Sequence, residues 1–201
     1  MPLEKYRNKR NFEVSPEPKG RTIAGRKSSL LYVIQKHRAT HLHYDFRLEW
    51  NGVLLSWAIP KGPSLDPSVK RLAMQVEDHP VEYGSFEGVI PAGEYGGGTV
   101  MLWDRGTWSP EEEDVEAALK KGSLKFDLNG KKLRGSWALV RTRNYRGTQK
   151  TAWLLIKHRD AFASSKDITQ EKPRSVVSRK LLAQIARSGG GDVEQASTGD
   201  P

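Results

Sequence analysis

The run His41-Leu42-His43-Tyr44-Asp45-Phe46-Arg47-Leu48-Glu49-Trp50 alternates in chemical kind with period two. In an extended strand, successive side chains point to opposite faces. Leu42, Tyr44, Phe46, Leu48 and Trp50 then form an apolar face, while His41, His43, Asp45, Arg47 and Glu49 share the other. A face bearing imidazoles, carboxylates and a guanidinium has the donor set of metal-assisted chemistry. His43 and Asp45 are spaced to converge on one ion, and His37 on the preceding segment supplies a third ligand. Two histidines and one carboxylate leave positions open for water and a substrate oxygen. Such mixed ligation suits Mn²⁺, Fe²⁺, Co²⁺ or Zn²⁺ better than Mg²⁺. His41, at the bend into the strand, offers either a ligand in place of His37 or a cap on the turn. A plain hydrogen-bonded pair of His43 and Asp45 is the competing reading, and the crowding of three of the five histidines between positions 37 and 43 weighs against it.

A second segment extends this chemistry. In Arg71–Glu77 the alternation predicts that Leu72, Met74 and Val76 face the core, with Arg71, Gln75 and Glu77 on the polar side, followed by His79 if the strand continues. Arg47 and Arg71 offer planar forks for a phosphate, and His79 can hydrogen-bond a phosphate oxygen or protonate a leaving group. Tyr83 follows within reach. The alternative is an Arg71–Glu77 pair on a solvated face, with His79 capping a turn. Lys61, between Pro60 and Gly62, sits on a rigid turn that either aims it at a phosphate or leaves it in solvent. Pro91-Ala92-Gly93-Glu94-Tyr95-Gly96-Gly97-Gly98 is no nucleotide-binding loop, because no Gly-Lys-Ser/Thr follows; it reads as a tight turn entering a strand.

The elements that must position these groups are short and β-rich. Candidate strands are Leu30–Lys36, His43–Trp50, Leu54–Ile59, Arg71–Glu77, Thr99–Asp104, Ser123–Leu128, Gly135–Arg141 and Trp153–His158, with turns at Asn51-Gly52, Pro60–Pro63, Gly96–Gly98, Asn129-Gly130 and around Gly147. This pattern predicts a mainly β fold: an antiparallel β-barrel of about eight strands with short flanking helices. Helices are expected over Pro110–Lys121 and Ser178–Arg187. The six tryptophans fall mostly in strand patterns and are expected in the core. Residues 1–29, with Pro2, Pro16, Pro18, Gly20 and Gly25 among many charges, read as a basic arm packed on the domain. The catalytic barrel is expected over 30–160, a basic extension with a short helix over 161–187, and a disordered tail over 188–201.

Counting Lys and Arg against Asp and Glu, residues 1–29 carry +5, 30–119 carry −7, 120–187 carry +14 and 188–201 carry −3, within a net charge of +9. Basic flanks draw a phosphate backbone, while a carboxylate-bearing centre holds a divalent cation against it. With no cysteine, disulfides, thiolate nucleophiles and cysteine-ligated zinc are excluded. No apolar run reaches bilayer-spanning length and the basic N-terminus lacks the apolar stretch of a signal peptide, so the expectation is a cytoplasmic, nucleoid-associated monomer without a membrane partner.

The blocks Gln35-Lys36-His37, Leu42-His43-Tyr44-Asp45-Phe46-Arg47-Leu48-Glu49, Ser56-Trp57-Ala58-Ile59-Pro60-Lys61-Gly62-Pro63 and Glu77-Asp78-His79-Pro80 resemble the 3′-phosphoesterase domain of bacterial ligase D. The resemblance runs on through Val81-Glu82-Tyr83 to Gly93-Glu94-Tyr95-Gly96, within residues 5–187. It implies a β-barrel enzyme of end-joining repair, preferring Mn²⁺ with Co²⁺ or Zn²⁺ as substitutes, that removes a 3′-terminal ribonucleoside from DNA and then the 3′-phosphate it leaves. It also implies that His37, His43 and Asp45 are metal ligands, that Arg47 and His79 contact the phosphate catalytically with Tyr83 beside them, and that Gln35, Lys61, Arg71 and Glu77 support substrate binding. Arg10 and Glu17 match residues of the family's N-terminal arm, while Asn11 stands where the pattern has an aspartate. A ligase or an end-binding protein of end joining is the implied protein partner. No polymerase or ligase module and no Lys-x-Asp-Gly motif accompanies the domain, so the chain reads as a stand-alone end-cleaning enzyme or an excised domain. The rival is a non-catalytic nucleic-acid-binding barrel that recruits DNA for a repair partner.

Overall fold

The computed structural model describes residues 3–20, 29–142 and 152–201; the arm positions Pro2 and Gly25 and the turn around Gly147 lie outside the described residues. The ten strands are β1 (Leu30–Arg38), β2 (Leu42–Trp50), β3 (Val53–Ile59), β4 (Lys70–Gln75), β5 (His79–Pro80), β6 (Gly88–Ile90), β7 (Gly98–Pro110), β8 (Ser123–Gly130), β9 (Arg134–Arg141) and β10 (Ala152–Lys157). Eight of them pair antiparallel in the order β1-β2-β3-β4-β10-β9-β8-β7, and the additional β1–β7 pairing closes the barrel. β5 adds to β3, and β6 to β7. Each of the eight strands expected from the sequence corresponds to a barrel strand.

β7 runs longer than expected because Gly106 and Pro110 do not end it; its first part pairs with β6, its second with β8, and β1 lines both. Its register slips by one residue opposite Ile34 and Gln35, which inserts Trp103 as a bulge and adds the local bend that closure requires. Trp57, Trp103, Trp137, Trp153, Phe46 and Phe126 fill the interior. Trp50 is only half-buried at the core's margin.

The outer face of β1–β3 is buried too. Helix α1 (Glu4–Asn8) and a 3-10 helix (Val81–Ser85) pack over it through a separate cluster of Tyr6, Leu54 and Tyr83, joined by Phe12, Leu31 and Phe86. Truncating the fully buried Tyr6 to alanine would remove on the order of 3–5 kcal/mol. On the polar face of β2, Asp45, Arg47 and Glu49 are buried, while His43 keeps partial exposure.

Helix α2 spans Val115–Lys121. It starts later than Pro110 because that residue still pairs with Phe126 in the sheet, and Asp114 caps the helix by accepting from the Ala117 amide. α3 (Ile168–Glu171), α4 (Leu182–Gly189) and α5 (Val193–Ser197) follow. The disordered tail expected over 188–201 is corrected: the chain reverses at Gly190, Asp192 caps α5, and Ala196 is buried. The Asp200 carboxylate then returns to accept from the Leu182 and Ala183 amides at the start of α4, at 2.9 and 3.0 Å. Two helix N-termini capped by aspartates, each cap worth about 1 kcal/mol, hold a segment whose composition alone reads as unstructured. Among the described residues, no helix is long and apolar enough to cross a membrane.

Candidate active site

The β1–β2 register sets His37 opposite His43 and Gln35 opposite Asp45, so the pleat alone brings His37, His43 and Asp45 to one outward patch. One potential ligand atom from each lies within 4.8 Å of the others. His37 Nδ1 and His43 Nε2 each stand 3.7 Å from a different Asp45 oxygen, too far for a hydrogen bond. The opposite ring nitrogens are both committed. His37 Nε2 donates to the Gly96 carbonyl at 2.9 Å, and His43 Nδ1 donates to the His41 carbonyl at 3.0 Å. A carbonyl can only accept, so in the neutral rings the protons sit there and the bare nitrogens face the aspartate. That is the arrangement of metal-binding histidines, whose remote N–H is held by a backbone acceptor. The gaps are within reach of bonds of ~2.0–2.2 Å to a shared ion, and the donor set fits one. His41 itself is exposed and contributes its carbonyl, not its ring.

Asp45 is buried, which would raise its pKa, but the Arg47 cation and the neighbouring His43 hold its carboxyl well below the usual carboxylate range. Burial lowers the pKa of His43, and the Asp45 carboxylate together with the His41 carbonyl more than offsets this, leaving it raised. Arg47 is fully immobilised: Nε donates to Gln35 Oε1 and Nη1 to Ser56 Oγ, both at 2.8 Å, while Nη2 lies 3.2 Å from Asp45. Gln35 is in turn fixed by donating to the Tyr83 and Phe86 carbonyls. Gln35 thus orients Arg47 rather than lining the cavity.

The arm completes the site. Arg10 lies over the Tyr6 ring, donates to Glu17 at 2.8 Å and to the Tyr6 carbonyl at 3.0 Å, and reaches Glu77 at 3.4 Å and His79 Nε2 at 3.2 Å. Glu17 is buried beneath it, braced by Ser15. Lys9 bridges Glu77 and the Tyr95 hydroxyl at 3.0 and 3.1 Å. Asn11, in place of the aspartate, turns away and accepts from the Glu13 amide.

His79 holds its Nδ1 proton on the Glu77 carbonyl at 2.9 Å and offers Nε2 to Arg10. Burial, then the cations of Arg47 and Arg10, push its pKa well below the ordinary value, so the ring is neutral and is no proton donor to a leaving group from its Nε2 as found. Tyr83 is buried, which keeps its hydroxyl protonated, and stacks edge-on to His79. His37, His43, Asp45, Arg47, Arg10, Glu77, His79 and Tyr83 together line a cavity of about 260 Å³.

Arg71 is a correction to the sequence reading. Leu155 and Trp153, both interior residues, lie opposite Arg71 and Ala73, and Trp57 lies opposite Gln75, so Arg71, Ala73 and Gln75 face into the barrel. Leu72 and Met74 take the outer face instead. With this parity Gln75 accepts from the Trp153 indole N–H at 3.1 Å. Arg71's charge acts on Asp167, away from the cavity, and Lys61 is exposed and does not line it either. Two contributors escaped sequence reasoning, Tyr95 and the Gly96 carbonyl. Gly96 adopts φ +77°, which only glycine takes without strain, and the His37 ring would touch any added Cβ at 3.7 Å. The available signal was the glycine cluster, read as a turn alone.

Fold and site define a closed antiparallel β-barrel carrying a two-histidine, one-aspartate group able to bind a metal beside two buried arginines. The chain belongs to the DNA ligase D 3′-phosphoesterase domain family, whose model matches residues 35–141. It is 53% identical over 185 residues to the multifunctional non-homologous end joining protein LigD of Pseudomonas aeruginosa, covering 90% of this chain and 22% of that one. The LigD proteins of Mycobacterium tuberculosis and Mycolicibacterium smegmatis are 44% and 40% identical over 142 and 146 residues, about 70% of this chain in each case. The chain spans about a fifth of the length of these curated relatives.

Proposed function

We propose that the protein is a metal-dependent hydrolase of DNA 3′ ends in end-joining repair. It removes a 3′-terminal ribonucleoside to leave a 3′-phosphate, then hydrolyses that phosphate to a 3′-hydroxyl. The observation that carries this reading is the pair of histidines whose protons rest on backbone carbonyls while their bare nitrogens face Asp45 beside the locked Arg47. Membership in a family whose relatives are named for non-homologous end joining supports the setting, and a ligase or end-binding protein of that process is the proposed partner.

His37, His43 and Asp45 would hold the ion, proposed as Mn²⁺ with Co²⁺ or Zn²⁺ as substitutes. When bound, it supplies Lewis-acid polarisation of a phosphoryl oxygen. Among the cavity-lining side chains Arg10 and Arg47 balance Asp45 and Glu77, so a divalent ion turns a neutral cavity into one that attracts a phosphate dianion. Arg47 and Arg10 point preorganised N–H groups where negative charge grows at phosphorus. Neutral His79, with Nε2 as its acceptor, can take a proton from the attacking water once a phosphate accepts the Arg10 N–H that now faces that nitrogen. Gln35 and Glu17 hold the two arginines in place. A second cleft, lined by Lys131, Lys132, Lys172, Arg174 and Arg179, supports a polyanionic substrate and also suits the rival, a DNA-binding barrel without catalysis.

A primer ending in one ribonucleotide or in a 3′-phosphate, incubated with the protein and Mn²⁺, separates the two readings. Release of the terminal nucleoside and of inorganic phosphate is expected, and both cease in His43→Ala and Asp45→Ala proteins that keep the wild-type circular dichroism. Binding without turnover by the wild type favours the rival, and full activity in either variant removes the metal assignment.

A further inference from the structure

A groove of about 600 Å³ runs beside the metal cavity, within the ~300–1,000 Å³ range of small-molecule clefts. The two share Ala39, Ile90 and Gly96. One wall is the loop from Val89 to Thr99, and the other is the Gly189–Gln195 stretch linking α4 to α5, which composition alone consigned to a disordered tail. We propose that this groove seats the 3′-terminal nucleoside that leaves in the diesterase step. The inference rests on the function proposed above and adds to it the site that holds the leaving group.

Three features of the groove select this occupant. Its continuity with the cavity through Gly96, whose carbonyl also holds His37, places it immediately beside a phosphate bound at the metal group. Its charge excludes the upstream strand: no lysine or arginine lines it, while Glu94 and Asp192 do, so a phosphate backbone is repelled and an uncharged nucleoside is not. Its lining combines polarity with little bulk: seven glycines stand there with Thr40 and Gln195. In the diesterase step water adds to phosphorus and the bond from phosphorus to the 5′ oxygen of the terminal nucleoside breaks. A proton from that water ends on the departing 5′-hydroxyl, and the primer keeps a 3′-phosphate. In the monoesterase step no nucleoside lies beyond the phosphate, so the groove is idle.

The two substrates therefore read the groove differently. Ala92→Trp and Gln195→Trp fill it from opposite walls, and neither residue lines the metal cavity. Each is expected to lower kcat/KM for the ribonucleotide-tipped primer at least about tenfold, the scale of a lost pocket contact, and to leave that for the 3′-phosphate primer within about twofold. Activity on the second substrate certifies that the variant is folded. Equal losses on both substrates, or no loss on either, overturn the nucleoside assignment while leaving the proposed function standing. A wild type inactive on both overturns the two together.

Discussion

The β1–β2 hairpin carries its chemistry on a strand whose alternation is fixed by the pleat, whereas the N-terminal arm carries Arg10 on a turn held by tertiary contacts. In the hairpin, His37, His43 and Asp45 converge because cross-strand register leaves them no other place. In the arm, no strand register aims Arg10. Its direction comes from Tyr6 beneath the guanidinium, buried Glu17 behind it, and Glu77 and His79 ahead. Under the proposed function a site assembled this way separates its tasks: the hairpin would hold the ion, and the arm would supply a charge that acts on the phosphate.

Arg10→Ala tests that separation most severely. Turnover is expected to fall about 10²–10³-fold, as for loss of one preorganised transition-state donor, with manganese affinity by calorimetry unchanged. Arg10→Lys should not restore it, since a point charge cannot satisfy Glu17, Glu77 and a phosphate together. A large loss of metal affinity in either variant would merge the two regions into one unit. A smaller effect is expected from Gly96→Ala, which strains the loop at φ +77° and shifts the carbonyl holding His37. Manganese affinity should weaken about 10–100-fold while the arm stays docked by limited proteolysis.

The smallest effect lies where the arm meets the barrel. Burial raises the Asp78 pKa from 3.8 to about 6, against the lowering influence of Lys5 in α1. The folded state therefore binds a proton that the unfolded chain has lost between those values. The contribution of this group to stability is fullest below about pH 4, falls as pH rises towards 6, and is level beyond. Asp78→Asn is expected to raise stability by on the order of 1–2 kcal/mol at pH 7.5 after solvent screening, with no gain at pH 3.5, measured by urea unfolding. A gain independent of pH would assign the effect to something other than this carboxylate.

The same contrast explains what was legible in the sequence. Period-two alternation put His43 and Asp45 on one face, where the structure brings His37 to them, and the β-rich runs located all eight barrel strands. Alternation failed in β4, where the inward set Arg71, Ala73 and Gln75 is less apolar than the outward Leu72 and Met74, and where Gln75 accepts from the interior Trp153 indole. The arm's role was visible only through family resemblance, since a turn fixed by distant partners leaves no periodic trace. The tail was misread because its order depends on Asp200 capping a helix that starts at Leu182.

The central claim concerns which nitrogens carry protons and which are bare. Anomalous diffraction from crystals soaked in manganese should place a single ion bonded to His37 Nδ1, His43 Nε2 and an Asp45 oxygen. The Gly96 and His41 carbonyls should still hold the opposite ring nitrogens. An ion bound elsewhere in the cavity, or one reached by flipping either imidazole off its carbonyl, would contradict the account.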